Sequence, residues 1–163
     1  MIWGMTTSTF TALHVVISLI GIATGLIVLY GLLTAKRLDG WTAIFLLTTV
    51  LTSVTGFGFP FEHLLPSHKV GIISLVLLAI AILARYALHL AGAWRWIYVV
   101  CATMALYLNV FVLVVQSFEK VPALRAMAPT QSEPPFKIAQ VIVLLVFIVL
   151  GVFAVKKFHP VPA

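Results

Sequence analysis

Five long apolar stretches, at residues 10–33, 41–61, 70–93, 96–118 and 138–155, leave this chain few folds to choose from. Four carry no charged side chain, and Arg85 is the only charge in the third. An α-helix crosses the roughly 30 Å hydrocarbon core of a bilayer with about 20 mostly apolar residues. Each stretch meets or approaches that length, so the pattern predicts an all-α integral membrane bundle of five transmembrane helices. Composition agrees, because 63% of the chain is apolar and 9% charged, far from the balance of a water-soluble domain. The longest polar connection, residues 119–137, leaves little for an extramembrane domain, and residues 1–163 read as a single transmembrane domain. That organisation disfavours chemistry needing a separate nucleotide-binding or hydrolase domain.

The formal charge of +6 comes from ten Lys and Arg gathered near the ends of the stretches, where such residues set topology. They form no basic run with interleaved aromatics, which argues against nucleic acid as a partner and leaves the lipid bilayer. Cys101, the single cysteine, permits no intrachain disulfide and no Cys-x-x-Cys site. Residues 1–10 hold no basic residue and precede an apolar stretch longer than a signal-peptide core, so the first stretch is expected to stay as a span.

Five spans put the termini on opposite sides. Side A carries the N-terminus and residues 61–69 and 119–137; side B carries residues 36–40, the turn at Trp94-Arg95 and the tail from Lys156. Lys36, Arg37, Arg95, Lys156 and Lys157 lie on B, with Arg85 expected to snorkel there, against Lys69, Lys120, Arg125 and Lys137 on A. Six against four favours B as cytoplasmic, giving N-out and C-in.

Side A is chemically richer. It holds Glu62, Glu119 and Glu133, three of the four acids, with His63 and His68. The second stretch ends in Gly56-Phe57-Gly58-Phe59-Pro60, which weakens and stops a helix. Pro122, Pro129, Pro134 and Pro135 favour extended and turn conformations in the long connection, where Val121, Leu124 and Ala128 suit either a short apolar stripe on the membrane surface or an ordinary loop.

Polar residues on spans turn toward other helices, because lipid cannot satisfy them. Helical periodicity aligns Thr11, His14, Ser18, Gly21 and Gly25 on the first span, with a Gly-x-x-x-Gly pair that admits a close neighbour. It aligns Gly71, Ser74, Leu78, Ala81, Arg85, His89 and Gly92 on the third, and Ala102, Ala105, Asn109, Val112, Gln116 and Glu119 on the fourth. Thr48, Thr52 and Thr55 mark the second, and Gln140 opens the fifth. Helix packing and hydrogen bonding account for these stripes without any ligand.

Three ligand chemistries compete with that account. A b-type haem needs two imidazoles at similar depth, and His14 with His68 is the best available pair, supported by Ser18 or Gln116. A divalent metal has candidate ligands in His14, His63 and His68 with Glu62 or Glu119, although their spacing is not diagnostic. A quinone has Asn109 and Gln116 as amide donors beside Phe57, Phe59 and Phe61. His89 stands about 32 Å from His68 along a straight helix, on side B, and belongs with neither histidine group. His159 sits in the tail. No residue is assigned a catalytic role.

The segments Leu65-Pro66-Ser67-His68-Lys69-Val70-Gly71, Ala84-Arg85-Tyr86 and Ala128-Pro129-Thr130-Gln131-Ser132-Glu133-Pro134-Pro135-Phe136 resemble parts of small polytopic bacterial inner-membrane proteins that have no assigned activity. The resemblance implies the cytoplasmic membrane of a bacterium and no cofactor or catalytic residue. The expected function is an accessory or anchoring subunit, with other membrane subunits or further copies of itself as partners, or a small-ligand-binding membrane protein with a His/Gln pocket near side A. A redox subunit with haem b or quinone is the second expectation. A metal-dependent membrane enzyme or a small transporter is the third.

Overall fold

The computed structural model describes residues 1–59 and 66–160. Six α-helices follow one another: α1 Thr7–Leu33, α2 Asp39–Gly56, α3 Pro66–Ile82, α4 Trp94–Lys120, α5 Pro122–Met127 and α6 Pro134–Lys157. A π-helical turn, Leu83–Ala87, prolongs α3. Among the described residues the only β pairing is an isolated bridge between Ile2 and Met5. The chain is all-helical.

Among the described residues, four helical segments are long and apolar enough to cross a membrane: Thr7–Leu33, His68–Ala87, Trp94–Lys120 and Pro134–Lys157. The segment expected as a fifth span falls outside this set for a chemical reason. Its helix α2 has 18 residues, among them Asp39, five threonines and a serine, which dilute its apolar character. Five of those hydroxyls do not seek distant partners. Thr42, Thr48, Thr52, Ser53 and Thr55 donate to the carbonyls of Leu38, Ile44, Thr48, Thr49 and Leu51, one turn earlier.

α1 and α2 form an antiparallel hairpin in register along its length. Leu38 lies against Gly31, Phe45 against Gly25, Thr48 and Thr49 against Gly21, and Thr55 against His14. The Gly-x-x-x-Gly pair is the seam. A β-carbon at Gly25 would stand 2.5 Å from a Leu106 methyl and 2.9 Å from the Phe45 ring, so glycine is what lets α2 and α4 both approach α1. The hairpin turn is closed by the Lys36 amide on the Gly31 carbonyl at 2.8 Å, with Ala35 and Leu38 at positive φ.

α4 is central and packs on α1, α3, α5 and α6. The apolar core gathers at side B, where α1, α3 and α6 end and α2 and α4 begin. It comprises Val28, Leu29 and Leu32 of α1, Phe45 and Leu46 of α2, Leu78 and Ala81 of α3, Tyr98, Ala102, Ala105 and Leu106 of α4, and Phe147, Ala154 and Phe158 near the end of α6. Buried alanines recur in it, and small side chains bring helices close. By contrast α6 buries only Phe147 and Ala154 along its length and shows an apolar flank to its surroundings.

Most helix ends shift by a few residues from the sequence reading, and two differences have a clear local cause. The third helical segment ends at Ala87, not at residue 93, because His89, Leu90 and Gly92 take positive φ and turn the chain into α4. The connection after α4 contains a short helix, α5, where Pro122 sits in the first turn and therefore initiates rather than blocks it.

Candidate functional site

The polar residues expected at side A split into separate groups. His14, on α1, reaches Thr55 near the end of α2, with Nδ1 and Oγ1 2.6 Å apart. Thr55 Oγ1 spends its one hydrogen on the Leu51 carbonyl at 2.7 Å, so in the other contact it accepts. Nδ1 therefore carries the hydrogen, and the neutral ring keeps Nε2 as its acceptor. An aromatic wedge backs the ring: Phe59 meets His14 edge-on at 5.2 Å, Phe10 meets Phe59 at 5.0 Å and Trp3 meets Phe10 at 5.3 Å.

His68 belongs to another face. It is buried at the start of α3 and lies 5.3 Å from the Phe57 ring. α1 and α3 each pack on α2 and hardly touch one another. The two imidazoles thus engage opposite flanks of the α2 C-terminus, through Thr55 and Phe59 for one and Phe57 for the other. Two of the expected metal ligands, Glu62 and His63, lie outside the described residues. Among the described residues no three of His, Cys, Asp and Glu converge on a common point.

The remaining candidates are mostly committed to helix packing. Ser18 Oγ donates to the His14 carbonyl at 2.7 Å, one turn earlier on the same helix. Asn109 Nδ2 donates to Thr49 Oγ1 at 3.3 Å, close to Gly21, so this amide joins α4 to the α1–α2 hairpin. Gln116 is half-buried two turns further along α4. Gln140 donates from α6 to the Phe111 carbonyl at 3.3 Å, while its buried amide oxygen has no partner among the described residues. A cavity of about 400 Å3 does open at side A, but its lining is Phe118, Glu119, Arg125, Pro129, Thr130 and Gln131. None of His14, Ser18, His68, Asn109 and Gln116 belongs to it. The chain matches no protein-family model, no curated protein and no solved structure.

Arg85 does reach side B, but as a paired and covered group: its side chain, in the π-helical turn, is 1% exposed. Its guanidinium donates to Tyr98 Oη at 3.2 Å, to the Arg37 carbonyl at 3.1 Å and to the Asp39 carboxylate. Arg37 adds a second bond to Asp39 at 3.3 Å. The signal was present in the sequence: Arg85 is the one charge inside an apolar stretch, and Asp39 the one acid on side B. A charge at depth needs a counter-charge. Nearby, Arg95 donates to the carbonyls of Val155 and Phe158 at 2.9 and 2.8 Å and ties the end of α6 to the start of α4.

Proposed function

We propose that this chain is a non-catalytic accessory or anchoring subunit of a membrane assembly, with five spans, the N-terminus outside and the C-terminus in the cytoplasm of a bacterium. One observation carries the reading: the polar groups on the apolar helices are largely spent on one another and on backbone carbonyls. His14 bonds to Thr55, Asn109 to Thr49, and the hydroxyls of α2 to their own helix. Groups consumed in this way fix a shape and leave little to act on a substrate.

The fifth span is α2. Its 18 residues extend about 27 Å, close to the hydrocarbon thickness, and its register with α1 runs from Leu38 to Thr55, alongside the His14–Gly31 part of α1. Its hydroxyls enter hydrocarbon already bonded, which lowers their cost. Reporter fusions test the topology. Five spans place N- and C-terminal reporters on opposite sides of the membrane, and reporters on the same side refute that count.

The flank of α6 supports the subunit role, since Ile138, Val141, Ile142, Leu145, Ile148 and Val152 are exposed along it and available to lipid or to a neighbouring subunit. Mild extraction followed by native mass measurement is the deciding experiment. Recovery of the 17.8 kDa chain in a larger, stoichiometric assembly is expected, and a stable isolated monomer overturns the reading.

A further inference from the structure

The cavity between the end of α4 and the following connection has a lining unlike the rest of the protein. Phe118, buried at its base, packs edge-on against Phe136 of α6 at 5.4 Å. The opposite wall is held by two fixed points. Gln131, at positive φ, donates through Nε2 to the Val115 carbonyl of α4 at 2.9 Å. Thr130 gives both its amide and its hydroxyl to the Glu133 carboxylate, at 3.2 and 2.7 Å. Glu133 is thereby committed to the loop itself; the Thr130 hydrogen bond, helped by the nearby amides, holds its pKa below the ordinary value.

Glu119 and Arg125 are different. Both line the cavity, yet among the described residues they pair neither with one another nor with any third group. One cavity thus presents a carboxylate and a guanidinium held apart. With Nε2 of Gln131 occupied, its amide oxygen remains as a further acceptor. An anion alone would meet Arg125 but be repelled by Glu119, and a cation alone would meet the converse. A ligand carrying both charges satisfies both walls. About 400 Å3 suits a small polar group of that kind. Val121 and Met127, at the start and end of α5, are exposed apolar residues close in sequence to this lining, just past the end of a membrane-length helix.

We propose that this cavity binds a phosphoethanolamine-type zwitterion, with the phosphate on Arg125 and the primary ammonium on Glu119 and the Gln131 carbonyl. A phospholipid headgroup and the free soluble compound share that chemistry. Native mass spectrometry of the full chain in micelles doped equally with phosphatidylethanolamine, phosphatidylglycerol and phosphatidylcholine separates the terms. Phosphatidylethanolamine should be retained about tenfold over phosphatidylglycerol, which lacks the ammonium, and over phosphatidylcholine, whose quaternary nitrogen has no hydrogen to donate. Glu119→Gln should erase that preference while leaving overall retention, and Arg125→Gln should lower retention of all three lipids about tenfold. Both sites are exposed, so unchanged helicity and elution serve as folding controls. Displacement of the lipid by free phosphoethanolamine supports recognition by the headgroup alone, and a preference that resists displacement supports the anchored lipid. Equal retention of the three lipids, a preference for phosphatidylglycerol, or a preference surviving both substitutions overturns the proposal.

Discussion

The two halves of α4 have different surroundings although both are apolar. Toward side B, Tyr98, Val99 and Ala105 have no exposed surface and Ala102 and Leu106 almost none. Toward side A, residues 107–117 are half-buried, apart from the exposed Leu113. Small residues explain the first half, since Ala102 and Ala105 share the core with Ala81, Ala84 and Ala154, and Arg85 and Arg95 tie neighbouring segments around it. Tyr107 and Phe111 are too bulky for the same close approach. Side B is therefore where rigidity resides, and side A is where polar and aromatic groups keep some freedom.

The contrast is sharpest at Asp39. Asp39→Ala strips the counter-ion from a buried guanidinium and should cost about 2–3 kcal/mol in reversible detergent unfolding, the exposure of Asp39 itself moderating the loss. Adding Arg85→Met should recover part of that loss, because no unpaired charge then stays buried.

Gly25→Ala comes next. The added methyl meets Leu106 and Phe45 at under 3 Å and should cost about 2 kcal/mol by the same assay. Gly40→Ala, where the new carbon has nothing within 4 Å, should be neutral or stabilising by at most about 1 kcal/mol. At side A, Thr55→Val removes the acceptor from His14 and should cost about 1 kcal/mol, with a shift in the His14 ring-nitrogen resonances reporting the lost bond. The smallest effect is kinetic: amides of residues 107–117 should exchange faster than those of residues 98–106 in one hydrogen-exchange experiment. Equal protection along α4 would remove the contrast between its halves.

Hydropathy made the helices legible, and period-3.6 alignment located buried positions such as Gly21, Gly25, Ser74, Leu78, Ala81, Ala102 and Ala105. It failed beyond Arg85 because the π-helical turn and the positive-φ residues His89 and Leu90 end the period, and nothing in local propensity announces them. Depth along an axis was not enough for His14 and His68. Both start on side A, but the helix between α1 and α3 decides whether they can meet, and neighbour order is invisible to a single helix's pattern. The cavity at Glu119 and Arg125 was missed for a related reason. Its walls come from a loop whose shape depends on Gln131 reaching back to Val115 and on Thr130 capping with Glu133.

The close seam between α1 and α2 carries a consequence for biogenesis. Under the five-span reading, an insertion machinery that tests segments singly meets in α2 a stretch too rich in hydroxyls to partition on its own. It would enter with α1, as a pair whose seam has already closed. Damage at Gly21 or Gly25 would then act during synthesis, stranding the second segment outside the bilayer before any bundle could assemble.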